Sequence, residues 1–182
     1  MRTFLRSLLI IAGTAVAGLA FNAGPASAAP VFTDGFEPPP APQAWSFTHV
    51  GNGAGGFSNL GPRSGVQDAF IAQTGAGFSS VQRTVAITPG AFCTASVFLD
   101  PAKTPAIPAT EDMALEIIEP VSFTYVARDL RTMSSSATYT KFNVSWSSSP
   151  ATVLVRITIG GSVVGGVAKV TALRADDFSI SC

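Results

Sequence analysis

The chain has 182 residues, 47% hydrophobic and only 12% charged, a composition too apolar for a disordered segment and a length suited to one domain with a single core. Its 11 basic residues balance 11 acidic ones. Without a basic excess there is no electrostatic footprint for DNA or RNA, and nucleic acid is excluded as a partner.

The first 28 residues read as an address. Arg2 and Arg6 precede an apolar run at 8–21, and Ala26-Ser27-Ala28 offers the small residues of a cleavage site, the three-part pattern of a secretory signal. The run is shorter than the roughly 20 residues that a spanning helix needs. Cleavage after Ala28 removes 28 of the 182 residues and leaves 154, with nine basic groups against 11 acidic. The expectation is a signal peptide at 1–28 and one domain at 29–182, secreted or extracytoplasmic and without membrane contact after cleavage.

The following segment, Val31-Phe32-Thr33-Asp34-Gly35-Phe36-Glu37, sets acidic residues in apolar strand sequence, and Ala175-Asp176-Asp177-Phe178-Ser179-Ile180 does the same at the other end. A buried carboxylate needs a partner, and Arg174 is the only one beside them. If the fold brings the two ends together, as a closed two-sheet sandwich does, these groups can share one cation.

Between the ends, period-two alternation predicts strands at about 44–50, 66–73, 81–87, 92–99, 112–118, 121–128, 138–146, 153–159 and 167–181. Thr88-Pro89-Gly90, Asp100-Pro101, Glu119-Pro120, Ser149-Pro150 and Gly160-Gly161 supply turns between them. Gly51-Asn52-Gly53-Ala54-Gly55-Gly56 lacks the Lys and helix of a phosphate loop and reads as a mobile loop. The segment 111–119 reads as strand rather than helix, because Pro108 and Pro120 bound it and Met113, Leu115 and Ile117 alternate. Nine or ten short strands make an all-β sandwich.

Parity places the notable side chains. Cys93 starts one strand and Cys182 ends the last, so antiparallel neighbours would set them side by side, with Ala95, Val97 and Leu99 sharing one face and Phe178 and Ile180 the other. The pairing Cys93–Cys182 is expected, at a usual Cα separation of about 4.4 to 6.8 Å; two reduced buried thiols are the alternative. Along 139–146, Phe142, Val144 and Trp146 face the core, while Tyr139, Lys141 and Asn143 align an aromatic, an ammonium and an amide on the outer face, chemistry that suits a sugar. Any solvated strand can carry the same set. Tyr125 shares parity with Val121 and Phe123 and is expected to lean inward.

Catalytic chemistry is thin. His49 is the only histidine and no Gly-x-Ser-x-Gly occurs in 29–182. Glu116 and Glu119, three apart on a strand, would point to opposite faces and cannot flank one glycosidic bond. The expectation is not an enzyme.

Taken in order, Asp34-Gly35-Phe36-Glu37, Trp45, Ser64-Gly65, the strand 81–87 with Pro89-Gly90, the strand from Phe92-Cys93, and Asp176-Asp177-Phe178 resemble the CenC-type carbohydrate-binding modules of the galactose-binding-like jelly-roll superfamily. The resemblance implies a jelly-roll β-sandwich of two antiparallel sheets, a polysaccharide or cell-surface glycan as partner and a structural calcium. In that reading Glu37 donates its carboxylate, Asp176, turned inward by parity, completes the site, Asp177 lies on the solvated side, and carbonyls near Asp34 contribute. Calcium takes six to eight oxygens, so such a set with waters would suffice. Trp45 falls where the family packs a core tryptophan. The leading function is a non-catalytic carbohydrate-binding module. The alternative is a secreted structural or surface-interaction protein of the same fold.

Overall fold

Alternating apolar residues favour extended backbone buried on one side, and the computed structural model, which describes residues 30–38, 44–102, 110–147 and 150–182, carries that through as strands alone. Among the described residues there are ten: β1 (Pro30–Asp34), β2 (Ser46–Ser58), β3 (Asp68–Ala86), β4 (Phe92–Pro101), β5 (Thr110–Ile118), β6 (Tyr125–Ser134), β7 (Thr140–Ser147), β8 (Thr152–Gly160), β9 (Ser162–Val164) and β10 (Val167–Ser181). The expected signal at 1–28 lies outside the described residues, and no helix among those described is long and apolar enough to cross a membrane.

Hydrogen bonding runs β6-β5-β8-β3-β10-β4-β7, with β1 and β9 added to β10 and β2 to β3, every pair antiparallel. The continuous path folds into two layers because β3 serves both. Its first half, Ala69 to Thr74, pairs with β10, and its second half, Phe78 to Ala86, pairs with β8. The strands expected at 66–73 and 81–87 are therefore one. β2 accompanies β3 along nearly its whole length, so the glycine-rich segment 51–56 is strand, not the loop expected of it. Close approach explains the composition: a Cβ at Gly53 would lie 2.2 Å from Ser79 Oγ, and one at Gly55 would lie 2.6 Å from the Phe47 ring.

The inner faces meet as the alternation predicts. Met113, Leu115 and Ile117 of β5 and Val153, Val155, Ile157 and Ile159 of β8 pack toward Ala95, Val97 and Leu99 of β4, Phe142, Val144 and Trp146 of β7 and Leu173 of β10 in one buried cluster. Each large side chain so buried contributes about 1.5 to 3 kcal/mol. Trp45 is buried against Phe36 and Phe178, at centroid distances of 4.9 and 5.4 Å. Cys93 and Cys182 are bonded, with Cα atoms 4.0 Å apart, closer than the expected range. Ser181 pairs with Thr94 across β10 and β4, which is the adjacency that parity required.

One expected strand is displaced. Residues 119–124 form a turn in which Phe123 N donates to the Glu119 carbonyl at 2.9 Å and the Glu119 carboxylate accepts from the amides of Val121 and Ser122. The Ser122 side chain first, and then the two amides, hold the Glu119 carboxyl below its ordinary pKa. Phe123 takes a φ of 54° and is 69% exposed. The strand then begins at Tyr125, opposite a register shift between Ile117 and Ile118, so parity counted from Val121 no longer applies.

Candidate functional site

The outer face of the layer β6-β5-β8-β3-β2 is ordered in rows across the strands. Arg128, Glu116, Arg156, Gln82 and Ser46 are register partners in one row; Leu130, Ala114, Thr158, Ser80 and Thr48 form the next. Ala114 and Gly160 rise little above the backbone, whereas Tyr125, Arg128 and Leu130 stand on one flank and Phe78 on the other. The result is a groove of about 310 Å³, with Asp112 and Glu116 along the β5 side.

The charged row is built from cross-strand pairing. Glu116 is 1% exposed, and its Oε1 meets Arg128 Nε at 3.0 Å while its Oε2 accepts from Arg156 Nε at 2.6 Å and from Thr158 Oγ1 at 3.0 Å. Arg156 Nη2 donates to the Tyr125 hydroxyl at 3.2 Å, and the Arg128 guanidinium lies 5.3 Å from the Tyr125 ring centroid. A buried carboxylate without compensation is costly, so two guanidiniums and a hydroxyl fix its geometry, and it fixes theirs. Tyr125 is 55% exposed, against the expectation that it leans inward; the turn at 119–124 and the register shift rotate it onto the groove. An exposed aromatic ring beside oriented donors is the chemistry that receives a pyranose.

The outer face of the second layer presents the residues singled out by parity. Lys141 pairs with Phe98 and Asn143 with Ser96, and both are exposed. Tyr139 precedes β7 and does not stand free: it is half-buried, its hydroxyl 3.0 Å from the Gly61 carbonyl and 3.2 Å from Asp68 Oδ2. Burial, then the charges of Asp68 and Asp176, push its phenol above the ordinary range. Asp68 also takes Arg174 Nη1 at 2.8 Å, so Arg174 serves Asp68 and not the terminal acidic pair. Phe98 is covered by the Arg63 guanidinium at 3.6 Å, with Lys141 Nζ at 6.0 Å. This face is occupied by its own side chains.

The two acidic ends do come together. β1 pairs with the end of β10, with Asp34 opposite Phe178. Asp34 Oδ1 accepts from Phe36 N at 2.8 Å, and its Oδ2 accepts from Trp45 Nε1 at 2.9 Å and Arg83 Nη1 at 3.1 Å. Asp176 is fully buried, as parity placed it; its Oδ2 accepts from the amides of Arg63 and Ser64 at 2.7 and 3.0 Å and its Oδ1 from Asp177 N at 2.7 Å. Burial, offset in part by those amides, raises the Asp176 pKa. Asp177, at a φ of 50°, is not left to solvent but pairs with the Arg63 guanidinium and accepts from Ser64 Oγ at 2.6 Å. Val66 N lies 3.0 and 3.1 Å from the two Glu37 oxygens. Among the described residues no three carboxylate, imidazole or thiol side chains are placed so that they could hold a metal ion. The oxygen chemistry of Asp34, Glu37, Asp176 and Asp177 is right for calcium, and in this structure those oxygens accept from N–H and O–H donors.

Alternation did not disclose the charged row, although its components were visible: Glu116 interrupts an apolar strand and Arg156 interrupts 153–159, both at outward parity. Opposite charges on two outward faces were the available signal. The missing information was that β5 lies between β6 and β8.

No protein-family model and no curated protein sequence matches the chain. Among solved structures it is similar to the CBM22-1 xylan-binding domain from Paenibacillus barcinonensis, with a TM-score of 0.63 at 12% identity over 85% of this chain and 95% of that one. It is also similar to a family 22 carbohydrate binding module from Clostridium thermocellum, with a TM-score of 0.60 at 12% identity over 84% and 92% of the two chains. A third, TmCBM61 in complex with beta-1,4-galactotriose, gives a TM-score of 0.52 at 8% identity over 75% and 86%. Likeness at this identity establishes the jelly-roll fold. It does not extend to the CenC-type family.

Proposed function

We propose that this chain is a non-catalytic carbohydrate-binding module acting outside the cytoplasm, and that its glycan site is the groove on β6, β5, β8 and β3. The single observation that carries this reading is the exposed Tyr125 ring held beside two guanidiniums that a buried Glu116 orients. The jelly-roll neighbours include a xylan-binding domain and a module with a bound galactotriose, which makes a polysaccharide the favoured partner. The Cys93–Cys182 bond and the expected leader support an oxidising compartment. Binding, not hydrolysis, suits the groove: Glu116 is covered by its arginines, and Asp112 stands four residues along β5, about 13 Å away, too far for the carboxylate pair of a glycosidase.

The second reading keeps the sugar on Tyr139, Lys141 and Asn143, and the exposure of Lys141 and Asn143 is what favours it. Affinity electrophoresis on a polysaccharide panel separates the two. Tyr125→Ala is expected to weaken retention about fivefold, roughly 1 kcal/mol of stacking, with little change in melting temperature. Tyr139→Ala should lower the melting temperature and leave retention alone. The reverse pattern moves the site to β7. Retention of the wild type on no polysaccharide leaves the fold as an interaction scaffold.

A further inference from the structure

The glycan is identified further by the charge of the groove. Glu116 lies beneath its two partners, so a ligand approaching the Tyr125 end meets guanidinium and not carboxylate. Both arginines engage Glu116 through Nε, and Arg156 Nη2 also donates to the Tyr125 hydroxyl at 3.2 Å, so the two guanidiniums are fixed at the Tyr125 end of the groove. Arg128 is the more open, its side chain 40% exposed against 22% for Arg156. Two cations over one buried anion leave this row with one net positive charge, in a groove whose wall is the Tyr125 ring. The counter-charge sits at the other end: Asp112 occupies the same face about 13 Å along the strand, its Oδ1 accepting from Thr132 Oγ1 at 2.6 Å.

We propose that the groove selects glycans carrying carboxylates, that is, uronic acid residues, with the sugar carboxylate on the terminal nitrogens of Arg128 and Arg156 and a neighbouring ring on Tyr125. The inference rests on the reading of the groove as the glycan site. A planar guanidinium matches a carboxylate in a two-point geometry that a hydroxyl cannot reproduce. Since Glu116 already locks both side chains, little of their freedom remains to be lost on binding. The far Asp112 repels a second carboxylate, so an acidic chain carrying its charge at intervals lies in one direction along the groove.

The test uses matched polymers: glucuronoxylan and the same polymer with its carboxyls reduced to alcohols, and polygalacturonate with its methyl ester. At low salt the carboxylate form of at least one pair should bind at least tenfold more tightly than its neutral counterpart. Arg128→Gln should erase that difference, and Arg128→Lys, which keeps the charge and loses the fork, should retain part of it. Equal binding of the two members in both pairs overturns the charge selectivity and leaves the glycan site standing. A preference that survives Arg128→Gln overturns the assignment to these arginines; if that variant does not fold, Arg128→Lys and the wild-type polymer pairs still decide. Competition by dextran sulfate as effective as by polygalacturonate shows attraction by charge density alone and overturns carboxylate recognition. Retention on no polymer of either pair overturns this proposal, and retention on no member of the wider polysaccharide panel removes the glycan reading with it.

Discussion

The outer faces of the two layers carry similar residue types and use them differently. On the face of β4 and β7, polar side chains pair with their immediate neighbours, Thr94 with Ser145 at 2.8 Å and Ser96 of β4 with Ser179 of β10 at 3.0 Å, while Arg63 lies on Phe98. On the face of β5, β6 and β8 the central positions are small, Ala114, Thr158 and Gly160, and the long side chains stand at the margin. A strand face becomes a binding surface when its middle is low and its margins are held rigid. Outward orientation is not enough.

The comparison sharpens under perturbation. The largest effect belongs to the second layer: replacing Cys93 by Ser opens a loop of 89 residues between β4 and β10, and the chain-entropy model gives a loss of about 4 to 5 kcal/mol. Chemical denaturation under non-reducing conditions measures it, and polysaccharide binding by the folded fraction should persist because the groove is on the other layer. Glu116→Gln addresses the groove directly. It removes the charge that holds Arg128 and Arg156, whose side chains keep 40% and 22% exposure, at a cost of about 1 to 3 kcal/mol, and should abolish retention as well. Asn143→Ala, its counterpart on the exposed second face, should stay within about 0.5 kcal/mol of wild type.

A pH effect of roughly 3 kcal/mol should arise on the inner side of the groove layer. Glu111 is 2% exposed, its Oε2 accepts from Ala172 N at 3.3 Å, and burial, opposed by that bond, raises its pKa to about 7. The folded state then holds a proton that the unfolded chain, at 4.5, has released. This stabilisation is complete below pH 4.5 and is lost as pH rises through 7, at about 1.4 kcal/mol for each unit between the two values. Urea melts at pH 5 and pH 8 should differ in that direction, and Glu111→Gln should flatten the difference; a variant that keeps the wild-type slope would assign the effect to another group.

The smallest effect is expected where the chain ends meet. Because the oxygens of Glu37 and Asp176 turn to backbone amides and Asp177 to Arg63 and Ser64, chelator should leave the melting temperature unchanged. A drop on chelation that Glu37→Gln removes would establish the calcium site expected at Glu37 and Asp176.

Local alternation made most of the fold legible. Period two is a property of the extended chain itself, so it marked the strands on both sheets, the buried faces of β4, β5, β7 and β8, the inward turn of Asp176 and the core position of Trp146, while the core position of Trp45 came from the family resemblance. Antiparallel order at the chain's end made the disulfide legible as well. Alternation lost its hold where a non-local contact set the backbone. The glycines at 51–56 pair as strand because β3 lies against them, and Tyr125 faces outward because the 119–124 turn and the β5 register shift reset the parity.

The sequence by itself determined which residues can be buried and which strands can exist, since both follow from side-chain chemistry and the pleat. Only the tertiary structure decided that β5 lies between β6 and β8, and with it that Arg128, Glu116 and Arg156 form one row. Those residues are 12 and 40 positions from Glu116, and a period-two pattern is unchanged by which strands are neighbours. Pairing across such distances is selected by the burial of the whole core, so the site appears only once the sheet is assembled.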